Sequence, residues 1–306
     1  MSRHDVFRVI LIAFLLQIVS SAQLIAAQEA TPEGTAVQAV ADGGVVFTVE
    51  RPDGRMLRVA CEGSGGPTVL QEIGGPDPAG GVGYIQESGA EVSAMLGTRF
   101  CGYDRAGTGE SDPDPAGIHS LSDAGADLLA VLAAPQLDCP CVVMAESLGG
   151  GIALAALAQD SSNFAGFISL DSLIPGFSDV VLELAPDGSP EAELASFFAG
   201  ENEEAIAYEM TPDMVPAGQL DVPVIVFTHG AGDPPPCPCS EGYPVDELEA
   251  AWQAGQADLA AQLGVEVVVA QDTGHIIAGE NPQLVVDALF DVIAAYTSAD
   301  GATPVA

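Results

Sequence analysis

The chain has 306 residues, 48% of them hydrophobic, with 44 acidic side chains against 7 basic ones. That length and apolar fraction suit one large α/β domain with a sizeable core, and they exclude intrinsic disorder of the chain as a whole. A net charge of −37 without any lysine excludes a nucleic-acid backbone or an anionic lipid surface as main partner, because nothing could replace the condensed counterions. All the basic residues are arginines (Arg3, Arg8, Arg51, Arg55, Arg58, Arg99 and Arg105), and the acidity reads first as solubility by self-repulsion.

Arg3 and Arg8 lead into the apolar run from Val9 to Leu16, which fades through Ser20, Ser21 and Gln23 into Ala26-Ala27. A charged start, a short apolar centre and small residues at the end describe a secretory signal peptide over residues 1–27. The mature protein is then expected outside the cell, with no stable membrane association. An uncleaved anchor is the alternative, since Val9 to Ala27 is just long enough to span a bilayer. Residues 28–43 read as a linker. Export also makes sense of an even set of cysteines, Cys61, Cys101, Cys139, Cys141, Cys237 and Cys239, as disulfide partners. The two Cys-Pro-Cys pairs could instead suggest zinc thiolates, but such sites usually space their cysteines by two or more residues. No metal or cofactor is expected.

From residue 44 the elements alternate. Val45 to Val49 and Met56 to Cys61 form a hairpin around the turn Pro52-Asp-Gly-Arg. Strands follow at Thr68 to Glu72, Arg99 to Tyr103, Cys141 to Ala145, Phe167 to Asp171, Val222 to Thr228 and Val265 to Ala270. Helices are expected over Tyr84–Leu96, His119–Ala134, Leu148–Gln159, Val245–Leu263 and Gln283–Tyr296, the second capped by Ser120 or Ser122. Continuous apolar strands separated by helices predict a mostly parallel eight-stranded sheet with helices on both faces and the antiparallel hairpin at one edge. The stretch between Asp171 and Val222, rich in Glu, Ala and Pro, breaks the alternation. It reads as a small helical cap insertion over residues 172–221, and residues 298–306 as a flexible tail.

The sharpest chemical signal is Met144-Ala-Glu-Ser-Leu-Gly-Gly-Gly, which runs from a strand straight into a helix. This A-x-S-x-G pattern describes a nucleophile elbow, with Ser147 on a strained turn and small residues at Ala145 and Gly149 where side chains would not fit. A serine needs a base. His275, in the loop between the last strand and the last helix, can reach back across the sheet to it.

With these residues in hand, the sequence resembles the α/β-hydrolase family over residues 44–297. The resemblance is carried in family order by P-T-V-L-Q-E-I-G-G at Pro67–Gly75, C-G-Y-D-R-A-G-T-G-E-S-D at Cys101–Asp112, A-E-S-L-G-G at Ala145–Gly150, H-G-A-G-D-P at His229–Pro234 and G-H-I-I-A-G-E-N-P at Gly274–Pro282. It implies Ser147 as nucleophile, His275 as general base and acid, and Asp233 as the carboxylate that orients the imidazole, with Asp171 as the alternative acid one strand earlier. It places the oxyanion donors at the backbone N–H groups of Leu148 and Gly75. Because the loop reads Glu72-Ile-Gly-Gly rather than His-Gly, Ile73 and Gly74 stay open as donors. Glu146 stands where the family often has His. Arg105 and the glycines around it read as a structural turn. In the resembled fold the strands of Cys61 and Cys101 are neighbours, which implies a disulfide between them, while each Cys-Pro-Cys could close locally or stay reduced. The implied activity is cleavage of a small ester through an acyl-serine. A peptidase, C–C hydrolase or perhydrolase, or a non-catalytic binding protein on the same fold, are the alternatives. The expected partner is a small-molecule substrate.

Overall fold

The computed structural model describes residues 38–39, 44–75, 80–115, 117, 119–185, 206–207, 209–230 and 243–299. The signal-peptide reading, most of the linker, residues 186–205 of the cap, Asp233, Cys237 and Cys239 lie outside them.

The described residues begin with the two-residue strand β1 (Gln38–Ala39), then β2 (Val45–Glu50), β3 (Met56–Glu62) and β4 (Val69–Glu72). Helices α1 (Gly80–Tyr84) and α2 (Ala90–Leu96) are joined by a π-turn over Ile85–Gly89 and lead to β5 (Phe100–Tyr103). The short β6 (His119–Ser120) runs into α3 (Leu121–Leu132), followed by β7 (Cys141–Glu146), α4 (Leu148–Gln159) and β8 (Phe164–Leu170). Then come α5 (Phe177–Leu184), β9 (Ile206–Ala207), β10 (Val224–His229), α6 (Val245–Gln262), β11 (Val267–Ala270), α7 (Ile277–Glu280) and α8 (Pro282–Ala299).

The sheet order is β1-β2-β3-β5-β4-β7-β8-β10-β11, so the eight expected strands gain only the two-residue β1 at one edge. Pairing is antiparallel from β1 through β5 and parallel from there to β11. The central strands β7 and β8 are buried along nearly their whole length, which is why they read as unbroken apolar runs. One face of the sheet packs Leu57, Leu70 and Val143 against Leu128 of α3, Ile152 of α4 and Trp252 of α6. The other packs Val69, Phe100 and Ile168 against Ile85, Val285 and Leu289. Each fully buried side chain of this size contributes about 1.5–3 kcal/mol by leaving water. Helix α3 starts where Ser120 accepts the Asp123 N–H at 3.1 Å, with Asp123 returning the bond in a capping box. Helix α8 runs through Ala299, two residues into the expected tail. The insertion between β8 and β10 shows α5, β9 and a single 3₁₀ turn at Pro212–Met214, and β9 pairs with β6. Cys61 and Cys101, direct partners in the β3–β5 register, are joined by a disulfide, and Cys139 is joined to Cys141.

The arginines among the described residues make structural contacts. Asp127 on α3, 2% exposed, takes a two-pronged bond from Arg55 at 3.0 and 3.2 Å and an ion-pair contact from Arg51 at 2.6 Å, which pins the hairpin to the helix. His119 lies between Asp127 at 3.1 Å and Asp114 at 2.7 Å. Burial pushes the Asp127 carboxyl up, but the bonds from His119 and Arg55 outweigh it and hold it below the usual range. Arg58 pairs with Glu110, and Arg99 donates to the Gln136 carbonyl at 2.6 Å. Asp127→Asn removes the shared counter-charge and leaves buried cations behind. It is expected to cost about 3–5 kcal/mol in denaturant-induced unfolding, with the transition midpoint shifted and its slope unchanged.

Candidate active site

Ser147 sits between the end of β7 and the first turn of α4, at φ 53° and ψ −122°. A non-glycine residue rarely adopts that backbone, so surrounding structure must enforce it. It does so from β8. The Ser147 N–H donates to the Leu170 carbonyl at 3.2 Å, and the Ser147 carbonyl accepts the Leu173 N–H at 2.8 Å and the Gly150 N–H at 3.0 Å. The small residues around it are required by contact. A Cβ on Gly149 would strike the carbonyl oxygens of Glu72 and Ile73, and one on Gly150 would strike the Ser172 hydroxyl. Ala145 is fully buried. As the first residue of α4, Leu148 has a backbone N–H with no partner inside the helix.

The loop after β4 lies against this elbow, since a Cβ on Gly74 would come 3.5 Å from the Ser147 Cβ. Arg105, 3% exposed, holds the loop from behind. It donates to Glu72 at 2.9 Å, to the Ile73 carbonyl at 2.7 Å and to the Gly74 carbonyl at 2.8 Å. In a planar trans peptide the following N–H points opposite to its carbonyl. The N–H groups of Gly74 and Gly75 are therefore turned away from Arg105, whereas Ile73 lies one peptide further back. The motif around Arg105 thus serves the site indirectly, as the structural turn that the sequence suggested.

Asp171 follows β8 in a left-handed backbone conformation, φ 47°, and is fully buried. Its Oδ2 lies 2.6 Å from His275 Nδ1 and 2.7 Å from His229 Nδ1. Its Oδ1 accepts from Trp252 Nε1 at 2.9 Å, the Thr228 hydroxyl at 3.1 Å and the His229 N–H at 3.2 Å. Burial alone would raise this carboxyl, but the bonds from His229 and His275 hold it well below the usual carboxylate range. His275 is 8% exposed and packs edge-on to Trp252, with ring centroids 5.7 Å apart; Trp252 in turn packs on Phe177 of α5. The structure therefore brings Asp171, the alternative acid, onto His275. The preferred acid, Asp233, lies outside the described residues.

Two further groups border the site, His229, which sequence reasoning gave no role, and Glu146, which it marked as a departure from the family. His229, at the last position of β10, places Nε2 3.0 Å from Glu249 of α6. Burial lowers its basicity, but Asp171 and then Glu249 raise it, to about 9. Its place at a strand end beside a motif was visible; its partner across the sheet was not. Glu146 lies beside Gly74, with its carboxyl pushed up to about 7 by burial, lowered by His275 and raised again by Asp171. Asp171, His229 and His275 keep ligand atoms within 4.8 Å of one another. Their chemistry is that of a hydrogen-bonded set, however, because both Nδ1 atoms lie at hydrogen-bond distance from one carboxylate oxygen, which as a carboxylate can only accept.

The family described as serine aminopeptidase, S33, matches residues 84–179. No curated protein sequence matches the chain. Among solved structures, alpha/beta hydrolase domain-containing protein 10 from mouse is 18% identical, TM-score 0.56, over 82% of this chain and 98% of that one. A thermophilic esterase from Thermogutta terrifontis is 19% identical, TM-score 0.51, over 82% and 98%. A proline iminopeptidase-related protein from Thermus thermophilus is 17% identical, TM-score 0.53, over 87% and 100%.

The contact at Gly149 yields a direct test of how the elbow is held. A methyl there meets two backbone oxygens that cannot rotate aside, so Gly149→Ala is expected to lower stability by about 1–3 kcal/mol. Ala153→Gly, deeper in the same helix, serves as a control for helix propensity in the same unfolding measurement.

Proposed function

On the α/β-hydrolase fold to which this chain belongs, we propose that it is an exported serine hydrolase that cleaves a small carboxylic ester through an acyl-serine intermediate. The observation that carries this reading is the strained Ser147 at the strand–helix turn on the same sheet end as an imidazole bonded to a buried carboxylate at 2.6 Å. The fold resemblance to an esterase supports it. The apolar start of the sequence supports export, as do the Cys61–Cys101 and Cys139–Cys141 disulfides.

In this reading His275 takes the Ser147 hydroxyl proton as the oxygen attacks the ester carbonyl. Asp171 holds Nδ1–H, so that the other ring nitrogen carries the lone pair, and stabilises the imidazolium that forms. The oxyanion is held by the N–H of Leu148 and by the Gly75 N–H, with that of Gly74 beside it. His275 then protonates the leaving alcohol, and a water activated by the same imidazole releases the acid and restores the serine. In this reading Asp171, the alternative acid of the sequence analysis, takes the orienting role.

A second reading, an aminopeptidase, is favoured by the S33 match and by the Glu146 carboxylate beside the nucleophile, which would suit a substrate amine. Rates on p-nitrophenyl esters of graded acyl length against aminoacyl p-nitroanilides decide between the two. The ester reading expects the short esters to be turned over at least about tenfold faster.

A fluorophosphonate probe is expected to label the protein once, at Ser147, and Ser147→Ala to abolish labelling and turnover together. Asp171→Asn should lower kcat by about 10⁴ with the fold intact, whereas Asp233→Asn should leave kcat within a few-fold. The reverse pattern would move the acid to Asp233.

A further inference from the structure

Asp171 serves two imidazoles with one oxygen. Oδ1 is saturated by the Trp252, Thr228 and His229 backbone donors, while Oδ2 receives both His275 and His229. His229 is fully buried, and its two ring nitrogens each face a carboxylate, Asp171 at 2.7 Å and Glu249 at 3.0 Å. A neutral imidazole has one N–H and one lone pair, so one of these contacts would set a lone pair against a carboxylate. With both carboxylates ionised, only the doubly protonated ring satisfies both. Gln253 fixes the outer end by donating to the His229 carbonyl and to Glu249, each at 3.0 Å.

We propose that His229, held as an imidazolium between Asp171 and Glu249, is a positioning residue that keeps His275 neutral, and hence Ser147 reactive, under acidic conditions. The proposal rests on the serine-hydrolase reading above. In an ordinary Asp–His pair the full carboxylate charge favours the protonated base, and the nucleophile is lost as pH falls through that protonation. Here the Asp171 charge is offset by a fixed cation on the same oxygen, so His275 gains less from being protonated. The charged groups that face this chain of contacts are Asp171 at the end of β8, Glu249 on α6, His275 before α7 and Glu146 at the end of β7. Glu249 favours the cationic His229, whereas Glu146, pushed up to about 7 by burial, loses its charge in the acidic range. Of the groups in contact with Asp171, His229 is the one that acts in the opposite sense on His275. The upward shift of His229, to about 9, agrees with this geometry. Its sign also fixes a stability trend: the contribution is full below about 6.5, the unfolded value, and is lost as pH rises through about 9.

The test is the rate of fluorophosphonate labelling of Ser147 between about pH 4 and 9 in the wild type, His229→Gln and Glu249→Gln. The acid limb is expected to move up by about one pH unit in His229→Gln and by less in Glu249→Gln. Labelling at about pH 5 then falls about tenfold, while the alkaline plateau stays within a few-fold. Glu249 is the more exposed partner, so its variant carries the test where His229→Gln does not fold. Equal losses at every pH with an unmoved limb would overturn the proposal and leave His229 a packing residue. Nitrogen NMR of the wild type near neutral pH should show both His229 ring nitrogens protonated, and a neutral ring would also overturn it. A wild type that takes no label at any pH would instead overturn the serine-hydrolase reading itself.

Discussion

The buried carboxylate of Asp171 is the constraint around which this end of the molecule is organised. A charge taken out of water is tolerated only when each of its lone pairs is met, and here five donors from three segments meet them. Those donors come from the end of β10, from α6 and from the loop before α7. The same carboxylate that orients His275 therefore also docks the helix carrying Trp252 onto the sheet. Trp252 then packs Phe177, which ties the segment after β8 to the same point. Positioning of the imidazole and closure of the fold are one set of contacts.

A second constraint acts on the opposite side of Ser147. The loop Glu72-Ile-Gly is drawn back by Arg105, while the glycines of α4 let its backbone lie against the elbow without a side chain between them. Arg105 is buried and points its donors at three fixed oxygens, a geometry that a lysine would not reproduce. The described arginines are used in this way: Arg51 and Arg55 pin the hairpin to α3, Arg99 holds the Gln136 carbonyl, and Arg105 holds the candidate oxyanion loop. The acidity of the surface and the scarcity of cations thus go with a fold that uses its arginines internally.

Much of the architecture was legible because its signals are local. The apolar runs at Cys141–Ala145 and Phe167–Asp171 read as strands covered on both faces, and Ser120 or Ser122 marked a helix start, which the structure places at Ser120. The elbow was legible for the same reason, as its small residues are dictated by contacts within a tight strand–helix turn around Ser147. The acid was not. Asp171 and Asp233 both follow strand ends, and what separates them is where a loop places a side chain across the sheet, which spacing along the chain does not encode. His229 was read as a strand-end histidine because its meaning depends on Glu249 of α6, which lies 20 residues away in sequence. Asp171 did leave one backbone trace, a positive φ shared with Ser147, but that is visible only once the chain is folded.

The most direct test of the account is a crystal structure of the protein inactivated by a small fluorophosphonate. The account predicts phosphorus bonded to Ser147 Oγ, the phosphoryl oxygen on the N–H groups of Leu148 and Gly75, and His275 Nδ1 on Asp171 with His229 on the same carboxylate. A structure in which Asp233 occupies His275 Nδ1, or in which the phosphorus sits on another residue, would contradict it.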